Sequence, residues 1–158
     1  MSTVTSLLFV CAGNICRSPR AEALFRHRAK SEPVLADVEV SSAGTIAMNG
    51  NLPNTDSVEA LRRECGLEMA THRAKRLSRH MTADLVLTMD RETERDAVAM
   101  NLRGRVEMLG EYAGTGEEVD DPYGGSPRRH RDAAVHLERL VSLTLARLVA
   151  GAVPAPKL

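Results

Sequence analysis

This chain of 158 residues has few aromatic residues and no formal net charge, and each of these two features excludes a class of function. Tryptophan is absent and aromatic residues make up 3% of the sequence, so the chain lacks the interleaved aromatic and basic side chains that stack single-stranded bases. Lys+Arg and Asp+Glu each number 21, so no overall basic field attracts nucleic acid or an anionic membrane. We therefore expect no nucleic-acid partner and no membrane partner.

Long apolar runs and cysteines are few as well. The apolar run 7–11 is too short for a signal sequence or a membrane span, which predicts a cytoplasmic protein. The three cysteines, Cys11, Cys16 and Cys65, do not form a secreted disulfide framework, and they lack the paired spacing of a zinc site. Each cysteine is therefore either a core residue or a reactive group, and we expect no metal.

Short apolar runs alternate with helical patterns along the chain. Strands are predicted at 6–10, 38–42, 83–89 and 106–109. Helices are predicted from Ser18, from the Asp56-x-x-Glu59 pattern to Gly66, over 90–100 and from about 131 to 150, with a loop at 110–127. The alternation predicts a single domain, 1–158, of the α/β class: a doubly wound sheet of four strands flanked by helices, with a frayed tail at 151–158. Ligands bind at the carboxyl ends of the strands in such folds.

The loop after the first predicted strand carries the clearest chemical signal. It reads Cys11-Ala-Gly-Asn-Ile-Cys-Arg17-Ser18, with five residues between the first cysteine and the arginine, directly before a predicted helix. Successive backbone N–H groups and the helix dipole suit such a loop to a tetrahedral oxyanion such as phosphate. Arg17 offers paired donors to two phosphoryl oxygens, and the same field favours the thiolate of Cys11. The spacing outweighs the alternative that Cys11 is only a small buried hydrophobe.

Attack on a phosphate ester also requires an acid that protonates the departing oxygen. Asp121 is the best candidate, because Asp120-Asp121-Pro122-Tyr123-Gly124-Gly125 is a turn-rich segment beyond the fourth predicted strand. The same carboxylate is suited to accept a proton from the water that hydrolyses a cysteinyl phosphate. Taken alone, the segment is more typical of a plain Asp-Pro turn.

The chain resembles the low-molecular-weight protein-tyrosine phosphatases in five motifs that follow in order along nearly its whole length. They are Cys11 to Pro19, Ser41-Ser-Ala-Gly-Thr45, Thr71-His72-Arg-Ala-Lys-Arg-Leu77, Leu87-Thr-Met-Asp90 and Asp121-Pro-Tyr123. The resemblance implies a four-stranded parallel sheet and metal-free hydrolysis of phosphomonoesters through a phosphocysteine intermediate. It also implies no cofactor, and phosphorylated proteins as partners.

The resemblance assigns roles to particular residues of this chain. It implies that Cys11 is the nucleophile, that Arg17 clamps the phosphate and that Asp121 is the general acid and base. The phosphate-binding residues that it implies are Ala12, Gly13, Asn14, Ile15, Cys16 and Ser18, and Ser18 also holds the thiolate. Asn14 is expected in a strained left-handed conformation, held by hydrogen bonds from Ser42 and His72, with Asp90 in the same supporting role.

The walls of the expected site leave two substrate classes open. Met48 stands where many phosphotyrosine-specific members carry an aromatic residue, so Tyr123 is the aromatic wall that remains. Gly124 and Gly125 resemble the protein-arginine phosphatase branch, whereas Ile15 matches the tyrosine-specific branch and packs well on a phenyl ring. We weigh Ile15 above the glycines and predict phosphotyrosine, with phosphoarginine as the second substrate class.

Several single features of the sequence admit two interpretations each. A non-catalytic phosphoprotein-binding module would require the loss of a catalytic residue, and all are present. Arsenate reductases that share the loop use two further cysteines downstream, whereas only Cys65 follows the loop here. Cys16 is either the partner of Cys11 in a reversible disulfide or a buried spacer. The basic run 128–131 either selects acidic phosphopeptides or is a solvated helix start.

Overall fold

A computed structural model describes residues 4–152, in which four parallel strands form one sheet. The strands are β1 (Ser6–Cys11), β2 (Glu39–Gly44), β3 (Leu85–Thr88) and β4 (Arg105–Met108), in the spatial order β2-β1-β3-β4. Every pair of neighbouring strands is parallel, so the carboxyl ends of all the strands meet at one edge of the sheet. The predicted α/β class with a four-stranded sheet is confirmed.

Helices cover both faces of the sheet. They are α1 (Arg17–Ala29), α2 (Thr55–Cys65), α3 (Arg91–Ala99), α4 (Leu109–Ala113) and α5 (Pro127–Ala152), with a short 3-10 turn at Pro33–Leu35. Leu7 and Phe9 of β1 join the larger core with α1, α2, α4 and α5, and Leu8 and Val10 face a smaller core with α3. Burial on both faces explains why β1 is a continuous apolar run, since burying each large side chain contributes about 1.5–3 kcal/mol.

The predicted starts of α1 and α2 are wrong. α1 begins at Arg17 with Cys16 at its N-cap position, so Ser18 lies inside the first turn and makes no capping bond. The cap of α2 is Asn54, whose side-chain oxygen accepts the N–H of Ser57 at 3.0 Å, and the Asp56-x-x-Glu59 pattern lies inside the helix. The predicted end at Gly66 is confirmed, because Gly66 takes the left-handed conformation with φ 66°.

The segment around α4 and α5 also differs from the prediction. The stretch predicted as a loop includes most of α4, and α5 begins at Pro127 rather than near 131. Ser126 Oγ accepts the N–H of Arg129 at 3.2 Å, which caps α5, and a proline is well suited to the first helical position. α5 ends at Ala152, so 151 and 152 of the predicted tail are helical, and residues 153–158 lie outside the described residues. Within 4–152, no helix is both long and apolar enough to cross a membrane.

Candidate active site

The sulfur of Cys11 lies at the end of β1, with hydrogen-bond partners on both sides. Cys11 is 2% exposed, and its Sγ lies 2.9 Å from Ser18 Oγ and 3.3 Å from the backbone N of Asn14, which donates to it. The Asn14 side-chain amide donates to Ser18 Oγ at 2.7 Å. The single proton of the Ser18 hydroxyl can therefore point either at the sulfur or at the carbonyl oxygen of Ala43, which lies 3.4 Å from Ser18 Oγ. The backbone N–H of Asn14 and the hydroxyl of Ser18 thus both lie within hydrogen-bond distance of the sulfur.

Asn14 is the residue around which the loop is wrapped. It is fully buried and has a positive φ of 56°, a conformation that asparagine adopts more readily than most residues. The Nε2 of His72 donates to its backbone oxygen at 2.8 Å, and the N–H of Lys75 donates to its side-chain oxygen at 2.9 Å. A bond from Ser42 to Asn14 is expected from the sequence, but the Oγ of Ser42 instead accepts the Asn14 amide at 3.0 Å. Together with the contact to Ser18, these bonds hold the strained backbone in place.

Arg17 is held by two acceptors on loops far away in sequence. Its side chain is 3% exposed, and its Nη1 donates to Asp90 Oδ2 at 2.7 Å and to the carbonyl of Val119 at 3.0 Å. The sequence predicts that Asp90 supports Asn14, whereas in the structure Asp90 orients Arg17. Burial alone would raise the pKa of Asp90, but hydrogen bonds from Arg17 and Thr93 outweigh it and hold that pKa below its ordinary value.

A capping pattern in the sequence marks the position of Asp90. Asp90 and Thr93 form a reciprocal capping box at the start of α3, with Asp90 Oδ1 accepting the N–H of Thr93 at 2.8 Å. The capping bond uses Oδ1, which leaves Oδ2 for Arg17. The role of the Val119 carbonyl has no sequence signal, since any residue has a carbonyl group.

Asp121 approaches Arg17 from the loop before α5. Its Oδ2 lies 3.8 Å from Arg17 Nη2, and its Oδ1 accepts the N–H of Tyr123 at 3.2 Å. The Asp121 side chain is 52% exposed, so it is open to solvent and to a leaving group. Sequence reasoning missed the neighbouring ion pair, in which Asp120 binds Arg129 through both carboxylate oxygens.

The rim of the site is apolar and exposed. Met48 is 69% exposed and Tyr123 is 64% exposed, and sequence reasoning missed two further exposed apolar residues of the loop after β2, Ile46 and Leu52. That loop is fixed to the cysteine loop, because Ile46 N donates to the carbonyl of Ala12 at 3.0 Å. Gly44 permits this approach, since a Cβ there would lie 2.4 Å from the same carbonyl oxygen.

The other cysteines are not placed for attack. All three cysteines are free, and Cys16 is 4% exposed, with burial raising the pKa of its thiol to about 11. Burial raises the pKa of Cys65 to about 12, and its thiol contacts Glu138 at 3.4 Å, a residue that also binds Arg28. Within residues 4–152, no cluster of three or more potential metal-binding side chains is found.

The basic run 128–131 does not form a free cationic patch. Arg129 binds Asp120, Arg128 lies 3.9 Å from Asp132 and Arg131 lies 4.0 Å from Glu64. His130 is fully buried. The run is the first turn of α5 with its charges paired, which favours the second of the two interpretations.

Comparison with known proteins identifies relatives along almost the whole chain. The sequence profile of the family described as low molecular weight phosphotyrosine protein phosphatase matches residues 6–151. The probable low molecular weight protein-tyrosine-phosphatase EpsP of Ralstonia solanacearum is 34% identical over 149 residues, which are 92% of this chain and 97% of EpsP.

Solved structures agree with the sequence comparison. A low molecular weight protein tyrosine phosphatase from T. tengcongensis aligns with a TM-score of 0.82 and 33% identity, over 92% of this chain and 99% of that protein. The YwlE arginine phosphatase from Geobacillus stearothermophilus aligns with a TM-score of 0.76 and 30% identity, over 92% of this chain and 94% of that protein.

The parallel α/β sheet, the buried cysteine and arginine of the loop at its carboxyl edge and these relatives together identify a cysteine-dependent hydrolase. The chain belongs to the low molecular weight phosphotyrosine protein phosphatase family. The resemblance seen in the five motifs is thereby confirmed, and the chain is an enzyme of the hydrolase class.

Proposed function

We propose that this enzyme removes phosphate from phosphotyrosine in proteins, with Cys11 as nucleophile, Arg17 as phosphate clamp and Asp121 as general acid and base. The observation that carries the proposal is the meeting of these three groups at one edge of the sheet. Arg17 lies in the loop of Cys11 and 3.8 Å from the carboxylate of Asp121. They come from segments that are 104 positions apart in the sequence, taking the difference between residues 121 and 17.

The first step transfers the phosphoryl group to sulfur. The Cys11 thiolate attacks phosphorus, the bond from phosphorus to the tyrosyl oxygen breaks, and that oxygen takes the proton of Asp121. Arg17 binds two equatorial oxygens, where its paired donors match the transition state. Its Nη1 stays bound to Asp90, so the guanidinium does not have to reorganise during the step.

The second step returns the enzyme to its starting state. Water attacks phosphorus as the Asp121 carboxylate accepts its proton, the sulfur–phosphorus bond breaks, and its electron pair returns to Cys11. The Ser18 hydroxyl, 2.9 Å from the sulfur, stabilises the departing thiolate.

Backbone donors of the cysteine loop supply the rest of the phosphate site. The N–H groups of Gly13, Ile15 and Cys16 donate to no acceptor within residues 4–152. Ala12 and Ser18 flank them, and α1 begins at Arg17, so the positive end of the helix dipole lies behind the loop. The contacts of Asn14 with Ser42 and His72 keep these donors oriented.

The pocket walls favour an aryl ring over a guanidinium. Ile15 is half-buried in the loop and carries no hydroxyl, and Tyr123 stands exposed beside Asp121. The presence of glycine at position 125 is explained without reference to the substrate, because a Cβ there would lie 2.7 Å from Arg129 Cδ. The arginine phosphatase among the structural relatives keeps phosphoarginine as the second candidate.

The test is kcat/KM on two peptides of the same sequence that differ only in carrying phosphotyrosine or phosphoarginine. Cys11→Ser serves as the blank. Ile15→Thr and Ile15→Val form a matched pair, because threonine and valine have the same shape and differ in that a hydroxyl replaces a methyl group. We expect a phosphotyrosine preference that weakens in Ile15→Thr and persists in Ile15→Val.

Two results would contradict the proposal at different points. A strong phosphoarginine preference of the unmodified enzyme would show that the Gly124-Gly125 segment was the better guide. Full activity of Cys11→Ser on either peptide would contradict the assignment of the nucleophile.

A further inference from the structure

The side chain of Arg129 contacts the loop that carries Asp121 both before and after that residue in the sequence. Its Nε and Nη2 lie 2.7 and 2.8 Å from the two carboxylate oxygens of Asp120. Its aliphatic part lies against Gly125, where an added Cβ would be 2.7 Å from Arg129 Cδ. One side chain of α5 thus contacts the loop immediately before the acid and again after the turn that follows it.

The remainder of this loop is tied to the sheet edge. Val119 N donates to the carbonyl of Met89 at 2.8 Å, and the Val119 carbonyl accepts from Arg17. The N–H of Gly125 donates to the carbonyl of Pro122 at 2.8 Å, which closes the turn. The entry of the loop is thus fixed at Val119, and its hydrogen bonds to α5 include those of the Arg129 side chain to Asp120 and the capping bond of Ser126.

The pairing of Arg129 with Asp120 contributes little to stability, because both side chains are about half exposed, 49% and 55%. The two side chains nevertheless form a bidentate pair, and such a pair fixes the orientation of the carboxylate as well as its distance from the guanidinium. A role in placing the loop explains why a surface pair has this geometry.

Asp120 would otherwise be a second carboxylate near the phosphate site. Hydrogen bonds from Arg129 hold the pKa of Asp120 below its ordinary value, and Arg17 contributes to the same shift. Asp120 therefore lies within the field of Arg17, next to the residue that must deliver the proton. Arg129 engages both carboxylate oxygens of Asp120, so Asp120 already has a partner other than the guanidinium of Arg17.

We propose that Arg129 is a positioning residue for the general acid, and that it holds Asp120 and Gly125 so that Asp121 alone faces the phosphate. The proposal rests on the proposed function of Asp121. Arg129 touches neither substrate nor the reacting atoms, and it acts through the placement of its neighbour. Small errors in the placement of a catalytic group have large effects on rate.

The test compares two substrates with different needs for a proton. Phenyl phosphate releases a basic phenolate that has to be protonated, whereas 2,4-dinitrophenyl phosphate releases a phenolate that departs without a proton. We would measure kcat/KM on both for the wild type, Arg129→Ala, Asp120→Ala and the double variant. Arg128→Ala is the matched control, because Arg128 is on the same helix turn, is 84% exposed and lies 3.9 Å from its nearest carboxylate.

In Arg129→Ala we expect kcat/KM to fall about tenfold on phenyl phosphate and to change by less than about twofold on 2,4-dinitrophenyl phosphate. Asp120→Ala should change kcat/KM on the two substrates as Arg129→Ala does. The double variant should lose no more kcat/KM than either single variant, because both substitutions remove the same contact. The thermal midpoint should shift by about 2 °C or less, and Arg128→Ala should match the wild type on both substrates.

The positioning role would be overturned if Arg129→Ala lost kcat/KM equally on the two substrates or lost none. It would also be overturned if the losses of kcat/KM in the two single variants added up in the double variant. Failure of the proposed function looks different. In that case the wild type itself would turn over neither substrate faster than Cys11→Ser.

Discussion

At the scale of single residues, two serines near Cys11 differ in whether they contact its sulfur. Asn14 donates to both Ser18 and Ser42, at 2.7 and 3.0 Å, but only Ser18 reaches the sulfur. The two serines are therefore a natural pair for separating support of the loop from support of the thiolate. Both are fully buried and of the same size, so their truncation leaves similar small cavities.

We predict that Ser18→Ala slows alkylation of Cys11 by iodoacetate at about pH 6 and lowers kcat/KM roughly tenfold or more, since a hydrogen bond to a charged group is lost. Ser42→Ala should have a smaller effect on both. The measurement is the second-order rate of alkylation, followed by mass. If Ser42→Ala slows alkylation as much as Ser18→Ala, the hydroxyl of Ser18 has no special role at the sulfur.

At the scale of helices and strands, the sequence predicts the order and type of the main elements but only some of their ends. β1 and α5 are visible because their apolar patterns are long or continuous. The start of α2 is misplaced because Asn54 and Asp56 are both good capping residues two positions apart, and the choice depends on which side chain reaches a free N–H in the folded chain. Ser126 before Pro127 does carry the signal for the true start of α5.

Only the parts of the candidate site that are contiguous in the sequence can be predicted from it. The cysteine loop is contiguous, so its spacing is visible in the sequence. The contacts of Arg17 with Asp90 and Val119 join segments 73 and 102 positions apart, and only the parallel sheet brings them together. The sequence alone therefore gives Asp90 the wrong partner.

A buried polar cluster joins three of the helices behind the cysteine loop. Arg20 of α1 is fully buried, and its Nε and Nη1 donate to the carbonyls of Cys16 and His130 at 3.2 and 3.0 Å. The ring of His130 in α5 lies 3.1 Å from Ser57 Oγ in α2. Burial, reinforced by the charge of Arg20, lowers the pKa of His130 below its ordinary value.

The lowered pKa of His130 predicts how the stability of the protein depends on pH. Because the unfolded histidine binds its proton at a higher pH than the folded one, the free energy of unfolding should decrease as pH falls below about 6.5. Asp56 and Asp121 partly oppose the shift, and Arg129 adds to it. Urea unfolding at several pH values between about 7.5 and 5 measures the effect.

His130→Asn should flatten this pH dependence, because the amide can still bond to Ser57 and does not titrate. His80→Gln, at an exposed site, is the control and should keep the wild-type slope. A slope that is unchanged in His130→Asn would exclude His130 as its source.

At the scale of the whole molecule, both the charge balance and the site indicate that substrate recognition depends on short-range contacts. The chain has a formal net charge of +0, so long-range attraction does not select its substrate. Under the proposed function, selection is expected from the cysteine loop and from an apolar rim that includes Met48, Leu52 and Tyr123, each more than 60% exposed. The parallel sheet makes this possible, because it gathers short loops from distant segments at one edge.

The most direct test of the account is to trap the phosphoenzyme on Cys11. Asp121→Asn, mixed with 2,4-dinitrophenyl phosphate and quenched by denaturant at neutral pH, should carry one phosphoryl group, because the leaving group needs no proton while the second step lacks its base. Peptide mass mapping should place that group on Cys11, and the same experiment with Cys11→Ser in addition should show no phosphocysteine. A phosphoryl group on Cys16 or on another residue, or turnover by Asp121→Asn with no accumulated phosphoenzyme, would contradict the account.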